Sequence, residues 1–488
     1  MLSLQRRSAL IAAAAVGFLF SGSVTPVGAA DSGSQSLPAA LRELTDLSGT
    51  RSALEQAGLR FTFSYYGDAF ANPVGGVTQG TGYDGRFGTI VDADLAKLMG
   101  WNGATFHASF HEIFGTQFSA TDLANLMTVS GVEAPPSTRL FNLWIEQKIG
   151  SELSLRLGQF TAAQEFATSD NATLFVNSTF GWPLPFSQDL PSGAPNYPEA
   201  TPGVRLAFTP NDSFTLRAAV FNGDPAGPGP GNPVQRDPFG VAFRVNDPPF
   251  FILESAYEWG NKAKDTASPD NPNQEGTAPG GTRSRHGAQN QLPGTFRLGA
   301  WIHTGSFADQ RFDASGGLLA ASGGLPLQHH GNFAIYAVVD QQLWAMPNDH
   351  ARGLSGFLRA SASPSDRNPV DLYADGGLTF RGSFATRSED IVGLGVAWGR
   401  MSPAAQAFDR DVVATTGQPM PVRDYELAFE LTYQWKLADN WILQPDLQYI
   451  VHPGGHVAPP GGGPNAASLT SAAIPNALVI GLRTVVKF

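Results

Sequence analysis

Charged side chains recur at every second position in many short apolar segments of this 488-residue chain. In a strand, alternate residues share one face, so these charges are predicted to lie together. An anion channel needs a basic excess and a cation channel an acidic ring, but this set is balanced. Its donors and acceptors can instead bond the hydroxyls of a neutral polyol, and an arginine fork reaches two neighbouring hydroxyls. The basic members are Arg60, Arg156, Arg205, Arg217, Arg244, Arg297, Arg359, Arg483 and Lys487; the acidic members are Asp92, Asp94, Glu146, Glu254, Glu258, Asp340, Glu426, Glu430 and Asp446.

A smaller group is predicted to line a path for such a solute. Trp144 and Trp301 fall on the same face as the charges, where an aromatic ring could stack on the apolar face of a sugar. A register shift of one residue would move both rings to the opposite face, and cross-strand pairing could account for any single charge. Both alternatives stay open. The predicted lining residues are Arg60, Trp144, Glu146, Arg156, Arg205, Arg217, Glu254, Arg297, Asp340, Arg359, Glu426, Glu430 and Arg483.

Motifs for catalysis and metal binding are absent from the sequence. There is no cysteine, which excludes a thiol nucleophile and thiolate metal sites. His107 and His111 share a strand face, but four residues of strand separate them by roughly 13 Å, too far for one ion. No G-x-S-x-G, H-E-x-x-H or P-loop spacing is present. We therefore predict no enzyme activity, cofactor or metal, although strands could still assemble a Ser, a His and an acid.

Alternating apolar and polar residues identify the elements that carry these side chains. Clear examples are residues 59–68, 425–435 and 478–488. A soluble sandwich also alternates, but aromatic residues end several apolar faces and short connections are interspersed with long ones such as 161–200, 260–293 and 451–474. Short turns at one end and long loops at the other are typical of a membrane β-barrel. We therefore predict an all-β, transmembrane antiparallel barrel.

Composition supports this fold class. The chain has a formal charge of −11, only 15% charged residues, 33 Phe and 55 Gly. Beyond residue 20, apolar runs of the roughly 18 residues needed for a membrane helix are missing. The aromatic content excludes disorder, and the acidic balance argues against nucleic acid as a partner.

The number of strands follows less directly from the pattern. Bacterial barrels have even strand numbers, so one segment is spurious or one is hidden in residues 313–325. We predict 16 strands, with 18 as the alternative. The 17 candidate segments start near residues 59, 87, 104, 139, 152, 202, 213, 238, 249, 295, 332, 353, 372, 389, 423, 440 and 476.

The N-terminus predicts export. Arg6 and Arg7 precede an apolar stretch, Ala9–Phe20, and small residues end at Ala30, which is the order of a signal peptide. We predict a signal peptide at residues 1–30, a periplasmic segment with a short helix at 31–58, and an outer-membrane barrel at 59–488. The expected location is the outer membrane of a Gram-negative cell, with outer-membrane lipid around the barrel.

Several short segments follow one another in a distinctive order over most of the chain. They are DLAKLMGW (94–101), LWIEQ (143–147), LRLGQF (155–160), FVNSTFG (175–181), Tyr197-Pro198 before Gly203, Asp340-Gln341, SPSDRN (363–368), DGGL (375–378), GLG (393–395) and QPDLQYIVHPGG (444–455). In this order the segments resemble the carbohydrate-selective porins of the OprB type. The resemblance implies passive diffusion of small neutral sugars such as glucose. A general diffusion porin with weak ion preference is the alternative, and a barrel that serves as an enzyme or adhesin is a third class. Oligomeric state, monomer or trimer, stays open.

Overall fold

A computed structural model describes residues 36–260, 291–347, 349–384, 386–460 and 472–488. The predicted signal peptide, residues 1–30, lies outside these residues. In the described part, sixteen antiparallel strands form one closed barrel, as predicted. The strands are β1 Leu59–Val74, β2 Thr81–Asp94, β3 Ala104–Gly115, β4 Ser137–Ile149, β5 Leu153–Phe160, β6 Thr201–Phe208, β7 Phe214–Asn222, β8 Pro249–Trp259, β9 Gly294–Asp313, β10 Pro326–Met346, β11 Asp349–Ala362, β12 Val370–Arg381, β13 Ile391–Met401, β14 Tyr425–Ala438, β15 Trp441–Val451 and β16 Ala477–Lys487.

Short helices occupy the connections. None of the helices in the described ranges is long and apolar enough to cross a bilayer. The α-helices are α1 Leu37–Thr45, α2 Thr50–Ala57, α3 Leu95–Met99, α4 Leu184–Gln188, α5 Pro233–Arg236, α6 Leu319–Ser322, α7 Pro403–Thr416 and α8 Pro453–His456; a π-turn covers Ser119–Leu123, and 3-10 turns cover Ala172–Leu174, Ser178–Phe180 and Pro191–Gly193.

Pairing of the first and last strands closes the barrel. Ser64 of β1 lies opposite Lys487 of β16, and the register continues to Val74 opposite Leu478. The terminal residue adds to the seam, because Phe63 and Phe488 exchange two backbone hydrogen bonds of 2.9 Å. The apolar end of the chain, which the alternation predicts to be a strand, is therefore part of the wall.

The wall has the predicted two faces. Along β9, buried and exposed residues alternate over most of the strand. The exposed positions carry large apolar side chains, such as Leu298 and Ile302, which are 53% and 54% exposed. The buried positions between them, including Arg297 and Trp301, point into the barrel. Apolar side chains can face outward because their solvent there is lipid, where charge is costly.

The segment predicted to start near residue 238 is not a strand, and this corrects the count of 17. Phe239, Val241, Phe243 and Val245 occupy alternate positions and are exposed, but they lie in the connection between β7 and β8, where Ala242 and Asn246 are exposed as well. Strand β5 pairs with β4 only up to Leu143, so the segment can lie beside the uncovered end of β4. The amide of Leu140 donates to the Phe239 carbonyl at 2.9 Å. The alternating apolar residues of this segment therefore indicate an apolar outer surface, but they do not form a strand.

Because this segment is not a strand, two other predictions also change. Arg244, predicted to face inward, binds Asp247 within the same connection at 2.7 Å. The strand order also places the end of β8, at Trp259, and the start of β9, at Gly294, at the short-turn end, whereas the sequence predicts a long loop of the opposite end between them. Residues 261–290 of that predicted loop lie outside the described residues. Counting the segment near residue 238 as a strand adds one crossing of the membrane before β8. The connection after β8 is then expected at the wrong end of the barrel.

The predicted N-terminal helical segment is present and consists of two helices, α1 and α2. Arg51 of α2 is buried and donates to the Phe61 carbonyl of β1 at 2.6 Å and to the Thr45 hydroxyl of α1 at 2.7 Å. One arginine therefore fastens both helices to the beginning of β1. The hydroxyl and amide of Ser52 donate to the Asp46 carboxylate, which lowers the pKa of that carboxylate. The helices lie at the short-turn end of the barrel, where β1 starts.

Candidate functional site

Two long connections fold into the barrel interior. They are the β3–β4 loop, residues 116–136, and the β5–β6 loop, residues 161–200. Most of their side chains are buried; Phe118, Leu123 and Phe166 have no exposed surface. Phe186 of the β5–β6 loop packs edge-on against Trp301 and Tyr336 of the wall. The alternating pattern gives no signal for these loops, so the sequence does not predict which loops fold inward.

Inward-facing acids of the wall hold the backbones of these loops. Glu426 and Glu430, both predicted to line the lumen, are fully buried and accept hydrogen bonds from loop amides. Hydrogen bonds of this kind contribute about 0.5–3 kcal/mol each, so together these contacts fix the loop positions. Glu426 accepts from the amides of Leu126 at 2.8 Å and Met127 at 2.7 Å, and Glu430 accepts from those of Val176 at 2.6 Å and Asn177 at 3.0 Å.

Two further predicted residues hold the start of the β5–β6 loop. Glu254 accepts from the amide of Ala167 at 2.8 Å, and Asp340 accepts from the Ser169 hydroxyl at 2.6 Å. Arg359 completes this anchor, because its guanidinium donates to the Ala167 carbonyl at 3.1 Å. The same guanidinium also pairs with Asp375 on the next strand. The wall therefore binds both donors and acceptors of one loop segment.

Arg483 acts across the seam of the barrel. It lies directly opposite Asp68 in the β1–β16 register and donates two hydrogen bonds to that carboxylate, at 2.8 and 2.7 Å. The Ser130 hydroxyl of the β3–β4 loop donates to the same carboxylate at 2.5 Å. This pair joins the first strand, the last strand and an inward loop.

A row of four arginines lies on the inner wall between β5 and β9. Arg156, Arg205, Arg217 and Arg297 come from β5, β6, β7 and β9. Three carboxylates face them, so donors and acceptors alternate across the row. Glu146 contacts Arg156 at 2.7 Å and Arg205 at 2.9 Å, Glu165 contacts the same two at 2.8 and 2.7 Å, and Glu254 contacts Arg217 and Arg297, each at 3.4 Å.

The inner face of the barrel has a buried region and a solvent-exposed region. Arg217 keeps 24% of its side chain exposed, whereas Arg156 and Arg205 keep 4% each. Nearer the short turns, the side chain of Arg60 is 47% exposed while paired with Asp92 at 3.1 Å. The interior is therefore filled where the loops insert, and inner side chains meet solvent toward the short-turn end. Arg217 stands where these two regions meet.

The comparisons with known proteins agree with this architecture. A family model described as "Carbohydrate-selective porin, OprB family" matches residues 78–488, most of the chain. The chain belongs to this family. It is an outer-membrane porin of the Gram-negative type, and the resemblance in sequence is confirmed. A channel through a closed barrel is thus the activity that the family and fold share.

Individual relatives cover nearly the whole porin. Porin B of Pseudomonas aeruginosa is 26% identical over 465 residues, covering 91% of this chain and 94% of that protein. A putative porin, QuiX, of Acinetobacter baylyi is 20% identical over 437 residues, covering 84% and 88%. The high-pH structure of Pseudomonas putida OprB superimposes with a TM-score of 0.75 at 24% identity, covering 91% of this chain and 97% of that one. This last likeness shows the shared fold.

The two tryptophans predicted to line the path, Trp144 and Trp301, point inward, and both rings are covered by protein. Trp144 is 3% exposed; the Arg156 guanidinium lies 3.8 Å from its ring centroid, and His107 stacks on it at 4.8 Å. Trp301 has no exposed surface and packs among phenylalanines. In this conformation the rings are packed in the wall and its loops, with no open face for a ligand.

Carboxylates in the inward loops complete the site, and the sequence does not predict them. Glu165 is one: burial raises its pKa, but the charges of Arg156, Arg205 and Arg217 outweigh burial and bring the pKa below its usual value. Glu133 is the opposite case, because burial raises its pKa to about 8. These residues lie in segments without periodicity, so no pattern distinguishes them from ordinary loop acids.

Proposed function

We propose that this porin passes small neutral sugars such as glucose by passive diffusion along the arginine row, with Arg217 at the narrow part of the path. The observation that carries the proposal is that the arginines of the row are paired with carboxylates. Four arginines face three carboxylates within 3.4 Å, so the row offers donors and acceptors with a net charge of only 4 − 3 = +1. Such a row can bond hydroxyls weakly without trapping an ion.

The predicted lining residues have four roles in this proposal. Arg217, the exposed member of the row, is proposed to meet the solute, with Arg297 and the buried Glu254 behind it. Glu426, Glu430, Asp340, Arg359 and Arg483 position the loops that narrow the lumen. Arg60 is proposed to lie at the short-turn opening. Trp144, Glu146, Arg156 and Arg205 form the buried side of the row and hold its geometry.

Liposome swelling tests the selectivity. Vesicles that contain the porin should swell faster in glucose than in an acyclic hexitol, because the row is fixed and the ring presents its hydroxyls in a fixed arrangement. Equal rates would leave a general diffusion porin as the function. A zero-current potential near zero in a salt gradient should accompany selectivity, since the row has little net charge.

Replacing Arg217 tests the site. We expect Arg217→Ala to reduce the preference for glucose over the hexitol several-fold while the barrel still folds, because its partner Glu254 keeps Arg297 and the Ala167 amide. Arg410→Ala, at an exposed position of α7, is the matched control and should swell like the wild type. An unchanged preference in Arg217→Ala would remove Arg217 from the path.

The remaining parts of the proposal concern processing and assembly. We propose removal of residues 1–30, a periplasmic segment at 31–58 and no enzyme activity. N-terminal sequencing of the protein from outer membranes should begin near residue 31. One chain closes its own wall between β1 and β16, so both a monomer and a trimer of complete barrels fit the structure; mass measurement in detergent separates them.

A further inference from the structure

Three potential metal ligands converge at the long-loop end of the barrel. Asp424 directly precedes β14, and His452 and His456 enclose the Pro453-Gly454-Gly455 turn after β15. One ligand atom from each lies within 4.8 Å of the others. Nδ1 of His452 is 2.9 Å from Oδ1 of Asp424, and Nδ1 of His456 is 3.7 Å from Oδ2. Both histidines therefore turn the same ring nitrogen toward one carboxylate.

These distances suit a metal ion held between the three groups. With metal–ligand bonds of about 2.1 Å, two ligands of a tetrahedral zinc ion lie about 3.4 Å apart. The two distances to Asp424 lie on either side of that value. The rings of His452 and His456 stack with their centroids 4.2 Å apart, so an ion held by both would require the two rings to rotate out of this stack. The three side chains are 25–36% exposed, so an ion can reach them from solvent.

The backbone holds the two histidines in place before any ion binds. His452 and His456 have φ values of 53° and 74°, a left-handed region that residues other than glycine rarely adopt. Such a conformation persists only when the surroundings fix it. Here the His452 amide donates to the Asn476 side chain at 3.0 Å, the Gly454 amide to Glu426 at 2.7 Å, and the Asp424 amide to the Gly455 carbonyl at 3.0 Å.

The position of the cluster relates it to the lumen. Asp424 lies two residues before Glu426, and His452 two residues after Ile450, both of which are buried on the inner side of the wall. The cluster therefore stands at the inner rim of the long-loop mouth. An ion there would link the β13–β14 connection, residues 402–424, to the turn after β15.

We propose that Asp424, His452 and His456 bind one divalent transition-metal ion, of which Zn²⁺ is the probe. Two imidazoles and a carboxylate are ligands that zinc, nickel and copper favour, and they leave a position for water. Mg²⁺ prefers oxygen ligands in an octahedron and is not expected to bind.

Calorimetric titration of the untagged, detergent-folded mature protein tests the proposal. Wild type should bind one Zn²⁺ per chain and no Mg²⁺. His456→Gly and His452→Gly should each weaken zinc binding by at least about tenfold, since losing even an outer partner of a metal ligand costs about 10–100-fold. Glycine tolerates the left-handed backbone at both positions, so these variants should fold. Heat-modifiable electrophoretic mobility checks that they do.

His330→Ala and His350→Ala are matched controls, because both histidines are exposed and lie outside the cluster. Both should bind zinc like the wild type. Absence of zinc binding by the wild type would overturn the proposal, as would wild-type affinity in both glycine variants. Asp424→Asn gives a third measurement and should also weaken binding; if it and both glycine variants bind normally, the zinc lies elsewhere.

Discussion

Several charged residues in this barrel work as buried pairs. Arg359 with Asp375 and Arg483 with Asp68 are almost fully removed from solvent, and each pair also holds an inward loop. Removing one member of such a pair leaves an unpaired buried charge, whereas an exposed pair contributes little. Individual charged pairs therefore determine the stability of the fold as well as the shape of the solute path.

The Arg483–Asp68 pair provides a stability test. Arg483→Ala should lower the free energy of unfolding by about 3–5 kcal/mol, because Asp68 stays buried without its partner. Lys436→Ala, which removes the exposed contact with Asp439, should cost no more than about 1 kcal/mol. Urea unfolding of the two variants in the same detergent checks this. Similar losses for both would contradict a special role for the seam pair.

Glu133 predicts a dependence on pH in the β3–β4 loop. Its pKa is raised from 4.5 to about 8, mainly by burial, so the folded loop binds a proton that the released loop loses above its ordinary pKa. Stability of the loop is therefore full below about pH 4.5 and falls as the pH rises toward 8. Protease cleavage within residues 116–136 should increase across this range. The increase should be weaker in Glu133→Gln, and an identical profile in that variant would contradict the assignment.

At the scale of elements, the inward loops determine what the barrel can pass. Glu426 and Glu430 hold both loops through backbone amides, so these contacts do not depend on the loop side chains. Loosening these contacts should widen the lumen.

Glu426→Gln with Glu430→Gln tests that expectation. Each glutamine would turn a donor toward loop amides that are donors themselves, so both loops should be released in part and single-channel conductance should rise. Glu152→Gln, at an exposed position beside the β4–β5 turn, is the control and should conduct like the wild type. Unchanged conductance in the double variant would show that the loops do not narrow the lumen.

The sequence predicts the wall better than its contents, for a physical reason. Outward residues such as Leu298 and Ile302 contact lipid, whereas the residues between them face the polar interior of the barrel. The sequence therefore alternates between apolar and polar residues, and this pattern can be recognised without a structure. Phe239 and Val241 show the limit of this alternating pattern. They form part of an apolar outer surface and alternate in the same way, although they do not lie in a strand. Glu165 could not be predicted, because contacts between a loop and distant strands leave no local periodicity.

At the scale of the whole molecule, the chain is a closed wall around two anchored loops and a charge-paired row. The low charge of the sequence, 15%, follows from the lipid-facing half of each strand, where charge is costly. The sixteen strands provide the frame, and the connections 116–136 and 161–200 set the internal shape. Selectivity is therefore expected to depend on the fit of a solute between loops and row.

Single-channel current in planar bilayers with and without glucose tests the central claim most directly. Glucose should cause concentration-dependent interruptions of the current in the wild type, because each bound sugar briefly occupies the path at Arg217. The interruptions should become rarer or shorter in Arg217→Ala. A current that glucose leaves unchanged in the wild type would contradict a sugar path through the arginine row.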